Sequence, residues 1–241
     1  MRGVLRLARL IPHVLHGLWI VKRGFAQRPA AERHRLVQWW SRKTLAILGI
    51  ALQHEGAAPS PAGHLLVANH VSWLDIAAVH AVLPQARFVS KSDVRHWPLV
   101  GALVEGVGTL FIERASKRDA MRVVHQAAAA LQAGDCVAVF PEGTTGAGPE
   151  LLPFHANLLQ AAVATDAPLL PVVLRWHEPG ERFSTAARFI GETTLVQSLW
   201  AIASARQLAV AVQVLPPVAS AGQERRALAE RVRADIAERL G

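Results

Sequence analysis

From residue 64 onward, short apolar or β-branched runs alternate with stretches of helical periodicity, and this alternation narrows the possible folds more than any other feature. The runs fall at 64–68, 86–90, 107–113, 135–140, 168–176 and 208–214. Between them lie helical patterns at about 74–83, 117–133, 155–165 and 195–205. A closing amphipathic helix follows at about 222–239, where Leu228, Val232, Ile236 and Leu240 recur among charges. Strands that alternate with helices predict an α/β domain, with a mixed, largely parallel sheet flanked by helices. At 241 residues and 51% hydrophobic content the chain can bury one sizeable core and carry an extension. Its single cysteine, Cys136, sits in an apolar run, which excludes an internal disulfide framework and predicts a small core residue in a reducing compartment.

The net charge of +8 is unevenly distributed. Residues 1–43 hold ten Lys/Arg against one acid, Glu32, and the rest of the chain has 16 basic against 17 acidic side chains. A basic front end suits either nucleic acid or an anionic membrane surface. The residues between the charges decide for the membrane: Leu, Ile and Val in quantity, and Trp19, Trp39 and Trp40, three of the seven tryptophans. The longest uncharged runs, 10–21 and 44–54, are 12 and 11 residues, and crossing a bilayer core takes about 20 residues of helix. The expectation is therefore a pair of amphipathic helices, separated near Arg28-Pro29, that lie in the interface while Lys and Arg reach the phosphates; helices that simply pack on the domain are the alternative. Arginines interrupt the apolar region and no small-x-small site follows, which argues against a cleaved signal peptide. Gly56 to Gly63, with Pro59 and Pro61, reads as a linker, so the expected division is 1–55 for the interfacial helices and 56–241 for the α/β domain.

Four stretches carry chemistry. In the first, a buried run ends at Asn69-His70 and a helix begins at Asp75. An imidazole and a carboxylate that straddle a strand-to-helix turn can meet, and the carboxylate would hold one ring nitrogen while the other takes a proton. In the second, Gly106 to Arg114, a strand ends in an arginine whose fork suits a phosphate or a carboxylate, although an arginine at a strand end is more often solvated or ion-paired. In the third, Phe140-Pro141-Glu142-Gly143-Thr144-Thr145-Gly146, a strand opens into a Gly-rich loop that either binds an anion or is an ordinary tight loop. In the fourth, 168–174, Pro171-Val172 sits in a hydrophobic strand that reads as core.

Taken in order, Asn69-His70-x4-Asp75, Gly108-x-x-Phe111-Ile112-x-Arg114, Phe140-Pro141-Glu142-Gly143-Thr144 and Pro171-Val172 resemble the four motifs of the glycerolipid acyltransferases, most closely bacterial 1-acylglycerol-3-phosphate acyltransferases. The resemblance covers about residues 60–175. It implies transfer of an acyl chain from acyl-CoA or acyl carrier protein to the free hydroxyl of a lysolipid, at the cytoplasmic face of a bacterial inner membrane. It implies His70 as general base, Asp75 as its orienter, and Arg114 with Glu142, Gly143 and Thr144 as the acceptor-phosphate site. Lys91 either faces the same phosphate or is a surface lysine. The alternatives are another lysolipid acceptor, or a non-catalytic lipid-binding protein on the same scaffold.

The chemistry agrees with the resemblance. An alcohol needs a positioned base to attack a thioester, and a thiolate leaves without a covalent acyl-enzyme. No Gly-x-Ser-x-Gly elbow is present, and the eleven histidines show no metal-ligand spacing, so neither a metal nor an organic cofactor is expected. One departure matters. Many relatives continue the third motif with Arg-Ser, where this chain has Thr145-Gly146. A lost charged hydrogen bond is worth about 1.5–3 kcal/mol. A zwitterionic acceptor such as a lyso-ornithine lipid thereby becomes an alternative to the phosphate headgroup.

Overall fold

The computed structural model describes residues 1–56, 63–112 and 117–241. Two long helices come first, α1 (Arg2–Lys22) and α2 (Ala30–Leu48). Strands and helices then alternate: β1 (Ala51–Glu55), β2 (His64–Ala68), α3 (Asp75–Val82), β3 (Ala86–Lys91), α4 (Val100–Gly106), β4 (Leu110–Ile112) and α5 (Lys117–Gln132). The second half continues with β5 (Cys136–Val139), α6 (Gln160–Thr165), β6 (Leu169–His177), α7 (Leu195–Ser204), β7 (Ala209–Val214) and α8 (Arg225–Leu240). The seven strands form one sheet in the order β1-β7-β6-β2-β5-β3-β4. Every neighbouring pair is parallel except β6–β7. The expected mixed, largely parallel α/β architecture is the one observed.

The central strands are apolar throughout because helices cover both faces. Side chains of β2 alternate between them. Leu66 and Ala68 join a core with Leu10, Leu45, Leu48, Val79 and Ile202, from α1, α2, α3 and α7. Leu65 and Val67 join a second core with Ala127, Leu131, Ala161, Leu228, Val232 and Ile236, from α5, α6 and α8. Cys136 is buried in β5, and burial pushes its thiol up to about 12, so it is a core residue with no thiolate character near neutrality.

The front of the chain is more integrated than the periodicity suggests. Residues 51–55, placed by the sequence reading at the end of the second apolar helix, form β1, which runs parallel to β7 from Ala51↔Ala209 to Glu55↔Gln213. Gly49, at φ 72°, stops α2 in the left-handed conformation that suits glycine, and an open edge of β7 recruits the residues beyond it. Leu10, Leu45, Leu48 and Ile50 share the core of the sheet, so the packing does not break at residue 55. Most of the predicted linker lies outside the described residues. Arg6 ties the front to the domain, since its guanidinium donates to the carbonyls of Ala203 (3.0 Å) and Ala205 (2.9 Å) at the end of α7. At Gly17 an added Cβ would meet Trp40 Nε1 at 2.5 Å, and this close approach lets α1 and α2 pack together. Two further features escaped the periodicity: the seven-residue α4 and a 3-10 turn at Ser92–His96, both too short to show a repeat.

His80 on α3 is buried against Phe88, its Nε2 2.9 Å from the carbonyl of Ala86, and burial lowers its pKa to about 4. The unfolded chain protonates this ring near 6.5 while the folded chain does not. Its contribution to stability is therefore full above pH 6.5 and is lost as the pH falls toward 4, at up to about 1.4 kcal/mol per pH unit. His80→Gln is expected to flatten the acid limb of a Tm-against-pH profile between those values, and an unchanged limb would refute the assignment.

Candidate active site

Parallel neighbours in an open α/β sheet end side by side, and the crevice beyond their carboxyl ends is where such folds place their sites. Here β2 and β5 run in register to Val67↔Val139, so residues 69–75 emerge beside residues 140–146. Asn69 ends β2 by imitating a strand partner. Its side chain donates to the carbonyl of Leu174 (2.9 Å) and accepts from the Leu174 N–H (2.8 Å), so the backbone is free to turn.

Asp75 opens α3 and is fully buried. One carboxylate oxygen, Oδ2, accepts from the N–H groups of Val71 (2.7 Å) and Ser72 (2.9 Å) and lies 2.8 Å from His70 Nδ1. The other, Oδ1, accepts from Trp176 Nε1 at 2.6 Å. A carboxylate among N–H donors is an acceptor only, so His70 Nδ1 carries the hydrogen and Nε2 presents its lone pair. The imidazole stacks on Phe140 (centroids 4.0 Å apart, planes at 7°), and Phe140 stacks in turn on Phe88. The His70 side chain remains 18% exposed. The geometry is that of a ring fixed in tautomer and orientation with one nitrogen open to a ligand.

The backbone of His70 is held as firmly as its ring. Its N–H donates to Glu142 Oε1 (2.7 Å), and its carbonyl accepts from the Gly146 N–H (2.7 Å). The other Glu142 oxygen accepts from the Leu152 N–H (2.9 Å). Burial raises the pKa of Glu142, and the two backbone donors act against that shift. Both oxygens of this buried carboxylate are thus engaged with the chain, which makes Glu142 a clamp between two loops. A phosphate-facing side chain was the expectation. Gly143 turns the loop at φ 71°, with its N–H bonded to the carbonyl of Phe140, and Thr144 is exposed at the tip.

Of the remaining candidates, Lys91 comes from β3, the neighbour of β5 in the sheet. Lys91 is exposed at the end of β3, paired in register with Ile112 at the end of β4. Arg114 is outside the described residues. Trp176 escaped the sequence reading. A buried indole N–H demands an acceptor, and a tryptophan in a run predicted as core was the available signal.

A family model described as Acyltransferase matches residues 50–175. The chain belongs to the acyltransferase family. It is 37% identical over 239 residues to a 1-acyl-sn-glycerol-3-phosphate acyltransferase from Neisseria meningitidis, a match covering 96% of this chain and 90% of the relative. It is equally 37% identical over 237 residues to a lyso-ornithine lipid O-acyltransferase from Pseudomonas aeruginosa, covering 95% and 90%. The crystal structure of a 1-acyl-sn-glycerophosphate (LPA) acyltransferase from Thermotoga maritima shares the fold at a TM-score of 0.68 and 20% identity, over 98% of this chain and 96% of that one.

In this acyltransferase, Trp176→Phe keeps an aromatic ring and removes one donor from Asp75. A hydrogen bond to a charged group is worth about 1.5–3 kcal/mol. The expected result is a fall in kcat of about tenfold or more with little change in KM, read by steady-state kinetics. A kcat within twofold of the parent would show that the indole N–H does not matter.

Proposed function

We propose that this acyltransferase moves a fatty acyl chain from a thioester donor, acyl-CoA or acyl carrier protein, to the free hydroxyl of a lysolipid, with 1-acylglycerol-3-phosphate as the principal acceptor. The observation that carries the reading is the imidazole held through Nδ1 by buried Asp75 with Nε2 open. His70 Nε2 takes the hydroxyl proton as the oxygen attacks the thioester carbonyl. Attack forms the new C–O bond and a tetrahedral oxyanion, which collapses to the ester as the C=O re-forms and the C–S bond breaks. The proton then passes from His70 to the departing thiolate sulfur. Nothing in this sequence calls for a metal or an organic cofactor. Arg114, Lys91 and the 143–144 turn are assigned to the acceptor phosphate on the strength of the family resemblance. A second reading, a zwitterionic acceptor such as a lyso-ornithine lipid, draws on Thr145, which stands where an arginine would serve a phosphate and donates its hydroxyl to the carbonyl of Phe189.

The enzyme works from the membrane surface. By length and composition α1 could cross a bilayer, but it presents two faces. Gly3, Leu10, His13, Gly17 and Ile20 are buried, and Val4, Leu5, Ile11, Leu15 and Trp19 are exposed along the other side. An exposed apolar stripe flanked by Arg2, Arg9 and Lys22 matches a helix lying in an anionic headgroup layer, at the cytoplasmic face of the inner membrane.

His70→Ala is expected to reduce transfer by at least about a hundredfold, the usual contribution of a positioned base. Binding to anionic vesicles should be unaffected. Parental turnover in that variant would falsify the base assignment. Deleting the front of the chain would destroy the core, so the interface is better tested by Leu5→Ser/Ile11→Ser/Leu15→Ser. The triple variant should lose most flotation with anionic vesicles, and added salt should weaken the parent. Equal flotation in both conditions would rule out the interfacial role.

A further inference from the structure

A surface helix ordinarily turns its large apolar residues inward and keeps small polar ones for water. On α7 the outer face departs from that pattern. Ile202 and Ala203 are buried as expected, but so is Ser198, whose Oγ accepts from the indole N–H of Trp73 at 3.1 Å. Val196 and Trp200, one turn apart on the outside, are 77% and 51% exposed. Ile190, in the segment that leads to α7, is a third exposed apolar side chain. Scattered exposed residues of this kind need no explanation, whereas a stripe that continues another one does.

Contacts at both ends fix where this surface lies. At one end it adjoins α1. A Cβ added at Gly3 would meet Ser204 Oγ at 2.8 Å and Trp200 Cζ3 at 3.5 Å, and Arg6 holds the carbonyls of Ala203 and Ala205. The residues that follow Gly3, Val4 and Leu5, begin the exposed apolar stripe of α1. At the other end the surface adjoins the catalytic turn. The Phe189 N–H donates to the carbonyl of Val71 at 3.1 Å, next to His70, and Trp73 of the same turn makes the bond to Ser198. Tryptophan suits the headgroup boundary of a bilayer. Residues 185–206 carry Arg188 and Arg206 against one acid, Glu192, a balance that an anionic surface tolerates.

We propose that Ile190, Val196 and Trp200 form a second lipid-contacting surface, which enters the same leaflet as the α1 stripe and holds the catalytic turn against the bilayer. The occupant is the lipid itself, because the surface continues a stripe already assigned to lipid. Its function is access: an acceptor lying in the leaflet reaches His70 without leaving the membrane. The inference rests on the interfacial role of α1 proposed above and adds a contact made by the α/β domain itself.

Cys136 is buried, so an environment-sensitive fluorophore can be attached to the folded full chain at one introduced cysteine. The three positions are Val196→Cys, Leu15→Cys on the α1 stripe, and Met121→Cys, exposed on α5 across the sheet. With anionic phosphatidylglycerol vesicles, the probes at 196 and 15 should shift to the blue and be quenched by nitroxide-labelled lipid, while the probe at 121 stays in water. A probe at 196 that stays in water while the one at 15 enters lipid would overturn the second surface and leave the α1 reading standing. Probes that both stay in water would remove that reading as well. A probe at 196 shielded before vesicles are added, in a chain that sediments as a dimer, would give the stripe to a second copy and overturn the proposal. In kinetics, Val196→Ser/Trp200→Ser should raise the apparent KM for an acceptor held in vesicles by about tenfold, the effect of losing one inserted apolar side chain. Turnover of a short-chain, monomeric acceptor should not change. Equal losses with both acceptors would place the two residues in the fold and away from lipid.

Discussion

A carboxylate taken out of water must find donors for both oxygens, and the neighbourhood of Asp75 is built to provide them. Two come from the turn that precedes it, one from the ring of His70, and one from a tryptophan 101 residues further along the chain. The first three make the turn and the fourth fastens it to β6. Leaving such a group unpaired would cost several kcal/mol, so the fold cannot relax His70 away from this position without first disrupting its own interior. The rigidity of the site is therefore a by-product of satisfying a buried charge.

The same economy holds at Glu142. It joins the His70 N–H to the Leu152 N–H across two loops, in the place where a ligand contact was expected. Because β2 and β5 are parallel and in register, the loops that leave them must diverge or be tied together, and this carboxylate ties them. Phe140 adds a flat surface that fixes the plane of the imidazole.

The front of the chain serves two surfaces at once. Its buried stripe belongs to the core of the sheet, and Arg6 caps the carbonyls at the end of α7. Its exposed stripe is apolar and joins no buried cluster among the described residues. A helix that was only an anchor would not need Gly17 for a close crossing, nor His13 buried against Trp40 and Thr44. In this molecule the proposed interface and the folding core share α1.

Much of this was legible in the residues themselves. Strand positions, helix positions and the closeness of His70 to Asp75 follow from periodicity and from a spacing of five across a turn, all of which are local. Contacts that join distant segments were not legible. Trp176 and Asp75 meet because β6 lies next to β2, Ala51 becomes a strand because β7 has an open edge, and Phe189 bonds to Val71 because the chain after β6 folds back against the active-site turn. A linear pattern records which residues want burial or hydrogen bonds. Which partner satisfies them depends on strand order and register, and those are properties of the folded chain alone.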